Sequence, residues 1–225
     1  TTIEGSYNQL RAISINPDGK HVVAGYWDNT LNFWDISTGQ LTRTLKKQDG
    51  IMPSISTSPD GKYLLSGDLR HKTIKLWEIS TGQLVRSFWG HSRGMTSVAF
   101  SPDGKYALTG NGDKTVKYWD ISTGKVIRTL KGIKDIGSVD ISPDGRYALS
   151  SGCPSNKLWD LSTGTSIMNF GKCKSNRSYP SFATFSHNGK YIITGSKWDR
   201  NLILWDSMSG KKIRTFRGHK NGIWS

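Results

Sequence analysis

The chain has 225 residues, a formal net charge of +14 at pH 7, 25 glycines and only two cysteines. No apolar run approaches the roughly 18 residues that cross a membrane as a helix, so no membrane insertion is expected. Cys153 and Cys173 are too few for a disulfide framework and match no zinc spacing, which points to free thiols in a reducing compartment and a cytoplasmic location.

Taken in chain order, the sequence repeats one plan five times. Residues 1–5 match 128–132, the end of a strand. A turn then recurs as Asn16-Pro17-Asp18-Gly19, Ser58-Pro59-Asp60-Gly61, at 101–104, at 142–145, and in divergent form as Ser186-His187-Asn188-Gly189. An aromatic-acid pair follows each turn: Trp34-Asp35, Trp77-Glu78, Trp119-Asp120, Trp159-Asp160 and Trp205-Asp206, spaced by 43, 42, 40 and 46 residues. Ser-Thr-Gly or a variant marks a second turn at 37–39, 80–82, 122–124, 162–164 and 208–210. Residues 218–224 match 90–96 and would open a sixth unit. Between the marks lie short runs rich in Val, Ile, Thr, Tyr and Phe, bounded by Gly, Pro, Asp and Asn, which is strand chemistry. In Pro-Asp-Gly the proline pre-sets φ, the aspartate bonds nearby backbone and the glycine accepts positive φ. Four strands fit each repeat; in the third they are expected at 96–101, 106–109, 115–119 and 126–130.

Together, the Gly90-His91 mark, the Trp-Asp pairs and the period resemble the WD40 family along the whole chain. The resemblance implies an all-β fold, a β-propeller of four-stranded antiparallel blades around a channel. It divides the chain into the end of a preceding blade (1–5), blades at 6–45, 46–89, 90–131, 132–171 and 172–217, and the start of another (218–225). Rings in this family usually have seven blades, with six and eight also known. An open set of five leaves sheet edges unpaired, so a segment of a larger propeller or repeat array is expected. The resemblance also implies a buried network of a histidine, a strand-b hydroxyl, a turn aspartate and the strand-c tryptophan. The third repeat carries the full set as His91, Thr109, Asp113 and Trp119. The first has Ser6 and Ala24 in place of histidine and hydroxyl. The second has Gln48 and His71 in place of histidine and aspartate. The fourth has Ile133 and Cys153 there, and is expected to be the loosest blade. The fifth keeps Thr194, Asp199 and Trp205 but lacks the histidine.

Of 17 acidic residues, twelve fall at repeat marks; Glu4, Asp49, Asp68, Asp135 and Asp140 remain, too scattered to suggest a catalytic pair. No histidine spacing suits a metal, and neither a nucleophile elbow nor a P-loop occurs. No enzyme activity, metal or cofactor is therefore expected. Asn176-Arg177-Ser178 fits a glycosylation acceptor, a pattern short enough to arise by chance.

The net charge allows nucleic acid or acidic partners. Many cations recur in phase, however: Lys20, Lys62, Lys105, Arg146 and Lys190 after the first turn, Lys125, Lys211 and Lys212 after the second, and Arg43, Arg86, Arg128 and Arg214 in strand d. Phased charge of this kind solvates edges. The more specific signal is aromatic. Trp27 and Trp198 directly precede a b–c turn aspartate, a place the resemblance puts on the top face where partners dock. Arg70 shares that position, and Gln9, Arg11, Tyr179 and Trp224 reach the same face. Trp, Tyr and Arg are the types enriched in interface hot spots. The reading is a non-catalytic protein-interaction platform. Two alternatives stand beside it: nucleic-acid or polyanion binding through basic faces, and a regulatory module of a larger signalling enzyme.

Overall fold

The computed structural model describes residues 9–45, 52–171, 182–195 and 201–218. It is an all-β, five-bladed propeller. Blade 1 consists of β1 (Leu10–Ile15), β2 (His21–Tyr26), β3 (Leu31–Asp35) and β4 (Leu41–Leu45). Blade 2 has β5 (Ile55–Thr57), β6 (Tyr63–Gly67), β7 (Thr73–Glu78) and β8 (Leu84–Trp89). Blade 3 has β9 (Met95–Phe100), β10 (Tyr106–Asn111), β11 (Thr115–Asp120) and β12 (Val126–Lys131). Blade 4 has β13 (Val139–Ile141), β14 (Tyr147–Ser150), β15 (Asn156–Asp160) and β16 (Ser166–Phe170). Blade 5 has β17 (Phe182–Phe185), β18 (Tyr191–Gly195), β19 (Asn201–Asp206) and β20 (Lys212–Arg217). Each sheet is an antiparallel meander in chain order, here called strands a to d. The expected strands of the third repeat lie within one or two residues of those observed.

The turns fix the meander. In blade 2, Ser58 Oγ donates to Asp60 Oδ1 (2.6 Å) while the Tyr63 amide donates back to Ser58 Oγ (2.8 Å). Gly61 closes the turn at φ +70°. At the c–d turn, Asp35 accepts from Ser37 Oγ (2.6 Å) and the Thr38 amide (2.8 Å), which holds its carboxyl down at about 2. The acid of each Trp-Asp pair is thus a turn residue.

Cores form between blades. The face of blade 2 bearing Leu65, Leu76 and Phe88 meets the face of blade 3 bearing Met95, Val98 and Trp119. Equivalent clusters join blades 1 and 2, 3 and 4, and 4 and 5. Two hydrogen-bond series reinforce these joints. Serine oxygens in or directly before strand a accept amides of the next blade: Ser14 from Thr57, Ser54 from Val98, Ser97 from Val139 and Ser138 from Ala183 (2.8–3.3 Å). Strand-d arginines donate to carbonyls in the next c–d turn: Arg43 to Ile79 and Ser80, Arg86 to Thr123, Arg128 to Ser162. The phased arginines are therefore joints between blades as well as solvating charges.

Blade 4, expected to be the loosest, has the shortest set of strands among the described residues, yet its core is well buried. Sandwiched between neighbours, it buries Leu149, Trp159 and Phe170 to 3 % exposure or less, and Ile133 fills the histidine's place at 1 %. The open faces lie at the ends. Ile13 and Ile15 of β1 are 60 % and 63 % exposed, while Val98 and Ile141, at the same register positions of blades 3 and 4, are 4 % and 5 %.

Candidate functional site

The polar network under the top of blade 3 is complete. Trp119 Nε1 donates to Thr109 Oγ1 (2.8 Å), Thr109 Oγ1 lies 2.8 Å from His91 Nε2, and His91 Nδ1 lies 2.9 Å from Asp113 Oδ2. With the ring neutral, Nδ1–H donates to the carboxylate and Nε2 accepts the threonine proton, so every group is satisfied. Burial lowers the His91 pKa, against the pull of Asp113, which fits the neutral ring. Burial alone would raise Asp113, but hydrogen bonds from Thr115, Ser92 and His91 outweigh it and hold the carboxyl below 3.8. Elsewhere the network is partial. Trp77, Trp159 and Trp205 donate to Ser66, Ser150 and Thr194 (2.7–2.9 Å), whereas Trp34, whose blade has Ala24 at that position, has a buried Nε1 without a partner among the described residues. His71 does not replace the aspartate toward Ser66. It turns to Asp68 instead, Nδ1 to Oδ2 at 2.8 Å, and Lys75 Nζ reaches the same carboxylate at 3.3 Å. Asp140, another acid left over by the repeat, takes a place held by serine in blades 1 and 2. It accepts from Phe185 N (2.9 Å) and Thr184 Oγ1 (2.8 Å) of blade 5, and burial pushes its carboxyl up. Both leftover acids thus serve packing. Among the described residues no group of three His, Cys, Asp or Glu side chains could hold a metal.

This framework carries the b–c turns and d–a loops on one end of the propeller, the top, because a meander places a–b and c–d turns on the other. In blade 1 the top brings three candidates together. The Trp27 amide donates to Gln9 O (3.1 Å), and the Arg11 guanidinium lies over the Trp27 ring, 3.4 Å from its centroid. Trp27 is 43 % exposed even so. Arg70 stands exposed on the b–c turn of blade 2. Tyr179, Trp198 and Trp224 lie outside the described residues, as do Ser6, Gln48 and Asp199.

The model of the WD domain, G-beta repeat, matches residues 1–35, 39–78, 82–120, 124–160 and 174–206. The chain belongs to the WD40 family. The second to fourth matched units start near a strand d, so each supplies strand d of one blade and strands a to c of the next. Relatives include a ribosome biogenesis protein BOP1 homolog of Aedes aegypti, 38 % identical over 62 residues, 28 % of this chain and 7 % of that protein. The peroxisomal targeting signal 2 receptor of Homo sapiens is 32 % identical over 75 residues, 33 % of this chain and 23 % of the receptor. Eukaryotic translation initiation factor 3 subunit I of Phaeosphaeria nodorum is 36 % identical over 64 residues, 28 % of this chain and 19 % of that subunit. The chain thus spans less than a quarter of the length of these relatives. WD40 propellers are in general non-catalytic scaffolds for protein interaction.

Sequence reasoning missed four residues on the top of this WD40 propeller: Leu69, Lys72, Arg93 and Lys114. Leu69 is the extra residue of the blade 2 b–c turn, legible as a one-residue insertion relative to blade 3. Arg93 lies in the loop after His91, where one cation among small residues gives no periodic signal. The thiol expectation is also corrected. Cys153 is disulfide-bonded, and Cys173, the other cysteine of the chain, lies outside the described residues. Disulfides persist mainly in oxidising compartments, so a cytoplasmic location loses the support of free thiols.

Proposed function

We propose that the chain is a non-catalytic docking platform for a protein partner, with the top face as the contact surface. The observation that carries this is the Arg11–Trp27 stack. A guanidinium and an indole, both hot-spot types, are held in a fixed pair at the surface, so little side-chain freedom is lost on binding. Two relatives bear names of binding proteins, a receptor and a subunit, consistent with such a role. The test is quantitative affinity capture with the wild-type chain, Trp27→Ala and a bottom-face control, Lys105→Glu. Proteins lost selectively with Trp27→Ala support the reading. An identical set with all three baits overturns it.

We further infer that additional blades cover the two open faces. Leu10, Ile13 and Ile15 on blade 1, and Phe216 on blade 5, stand half-exposed where interior blades are closed. Arg214 occupies the position from which Arg43, Arg86 and Arg128 reach a following blade. The 225-residue chain alone should bind a hydrophobic dye such as ANS, and Ile13→Lys with Ile15→Lys should reduce that signal. No dye binding by the wild-type chain would sink the inference.

A further inference from the structure

The two ends of the propeller differ in charge. On the bottom, the a–b and c–d turns carry nine acidic residues against eight basic ones, counted through Lys212 at the start of β20. The cations there sit beside carboxylates, as Lys62 does beside Asp60 (3.9 Å). On the top of blades 2 and 3 the acids face inward. Asp68 is 2 % exposed and is bonded by the Arg70 and His71 amides, His71 Nδ1 and Lys75. Asp113 is held by His91, Ser92 and Thr115. Arg70, Lys72, Arg93 and Lys114 remain exposed, and none forms an ion pair among the described residues.

Arg70 and Lys72 stand on the b–c turn of blade 2, Arg93 on the loop that enters blade 3 and Lys114 on the b–c turn of blade 3. Leu69, 40 % exposed, packs so closely on Gly94 of the next blade that a Cβ there would lie 2.6 Å from Leu69 Cδ1. Arg93 lies over Gly112, its Cβ and Cδ 3.7 and 3.8 Å from the place a Cβ would take. Gly94 therefore lets the leucine lie across the joint between blades 2 and 3, and Gly112 lets the arginine lie flat on the top of blade 3. The result is a strip with an exposed leucine at the joint and, on the turns and loop around it, four cations that form no ion pair among the described residues.

We propose that the top of blades 2 and 3 docks an acidic peptide segment of a protein partner. Arg70, Lys72, Arg93 and Lys114 take its carboxylates and Leu69 takes an apolar side chain between them. This rests on the top-face docking reading and names its partner chemistry. A peptide suits the strip better than a nucleic acid does. Its centre is a leucine, which offers no ring on which a base can stack, and the Trp27 ring in the neighbouring blade is already covered on one side by Arg11.

The experiment is fluorescence anisotropy of the full 225-residue chain with a short labelled peptide of Asp, Glu and Leu. A neutral peptide of Asn, Ser and Leu, a single-stranded DNA and an RNA of similar length are the comparison probes. The acidic peptide should bind and weaken as ionic strength rises. Arg70→Glu and Arg93→Glu should each weaken it roughly tenfold, by removing one attraction and adding one repulsion. Leu69→Ser should weaken it at every salt concentration, and Lys105→Glu on the bottom should leave it unchanged. Melting curves check that the variants fold, and Arg93→Ala replaces any reversal that does not. No acidic-peptide binding, equal binding of the neutral peptide, indifference to Arg70→Glu and Arg93→Glu, or tighter binding of DNA or RNA would each overturn the proposal. If the capture that depends on Trp27 survives such a result, top-face docking stands and only the acidic chemistry falls; if it too is lost, the docking reading falls with it.

Discussion

Blades 1 and 3 are built from the same plan, yet they are held by different amounts of structure. Blade 3 is covered on both faces, and its tryptophan, threonine, histidine and aspartate form a closed chain of donors and acceptors. Blade 1 is covered on one face, and its Trp34 keeps a buried Nε1 with no acceptor among the described residues. A blade buries its apolar faces against neighbours rather than within itself, so its stability depends on its place in the arc as much as on its sequence. The polar network adds to that only where every member is satisfied.

The largest test of the contrast is removal of the two tryptophans. Trp119→Ala empties a fully buried site and orphans Thr109, and should destabilise by about 3–5 kcal/mol in urea denaturation followed by circular dichroism. Trp34→Ala removes a ring that makes no hydrogen bond among the described residues and lies beside an open face, and should destabilise by about 2 kcal/mol. Equal losses would mean that neighbours and network contribute little to the difference.

Acid offers a second test, acting on blade 3 through its histidine. Burial holds the folded His91 pKa below the ordinary 6.5. The unfolded chain therefore takes up a proton as pH falls through about 6.5 while the folded chain does not, and stability declines toward the folded value. Above 6.5 both states are neutral at His91 and its contribution is constant. His91→Gln should be less stable at neutral pH but should flatten the decline between about pH 7 and pH 5, measured as the urea midpoint at each pH. A variant that keeps the wild-type slope would place the acid sensitivity elsewhere.

A smaller effect separates an interior joint from an end. Arg43 Nη1 donates to Ile79 O (2.7 Å) and Ser80 O (2.6 Å) of blade 2, so Arg43→Ala should cost about 1 kcal/mol. Arg214→Ala, at the same strand position in blade 5, should change the melting temperature of this chain negligibly. A matching loss at Arg214 would reveal a partner for it in solution.

Much of this contrast was legible before any coordinates, and the limits of that reading have physical causes. The Pro-Asp-Gly and Trp-Asp marks place the strands because turn chemistry and core tryptophans are local. His91, Thr109, Asp113 and Trp119 follow from their phase within one repeat. The Arg43 and Ser97 bonds were not legible, since each spans about one repeat and depends on how one blade leans on the next. A phased arginine looks the same in sequence whether it bonds a neighbouring carbonyl or water. Asp68 and Asp140 stood out as acids without a repeat position, and neither residue type says that a carboxylate is turned inward. The exposed strip at Leu69, Arg70 and Arg93 depends on that inward turn, which is why net charge alone could not locate it.

The last test rebuilds what blade 1 lacks. Ala24 lies at the register position of Ser66, Thr109, Ser150 and Thr194, each of which accepts the indole proton of its own blade. Ala24 is 4 % exposed, and Trp34 Nε1 is buried without a partner among the described residues. In Ala24→Ser the new hydroxyl can accept from Trp34, and its own proton can turn to the Asn32 carbonyl, the counterpart of Lys117 O, which lies 3.4 Å from Thr109 Oγ1. Satisfying a buried donor should stabilise by about 1 kcal/mol, read as a higher urea midpoint with an unchanged slope. A gain would locate part of the weakness of blade 1 in its missing acceptor. A loss would mean that the hydroxyl is desolvated without forming the bond, and would leave the uncovered face as the main difference between blade 1 and blade 3.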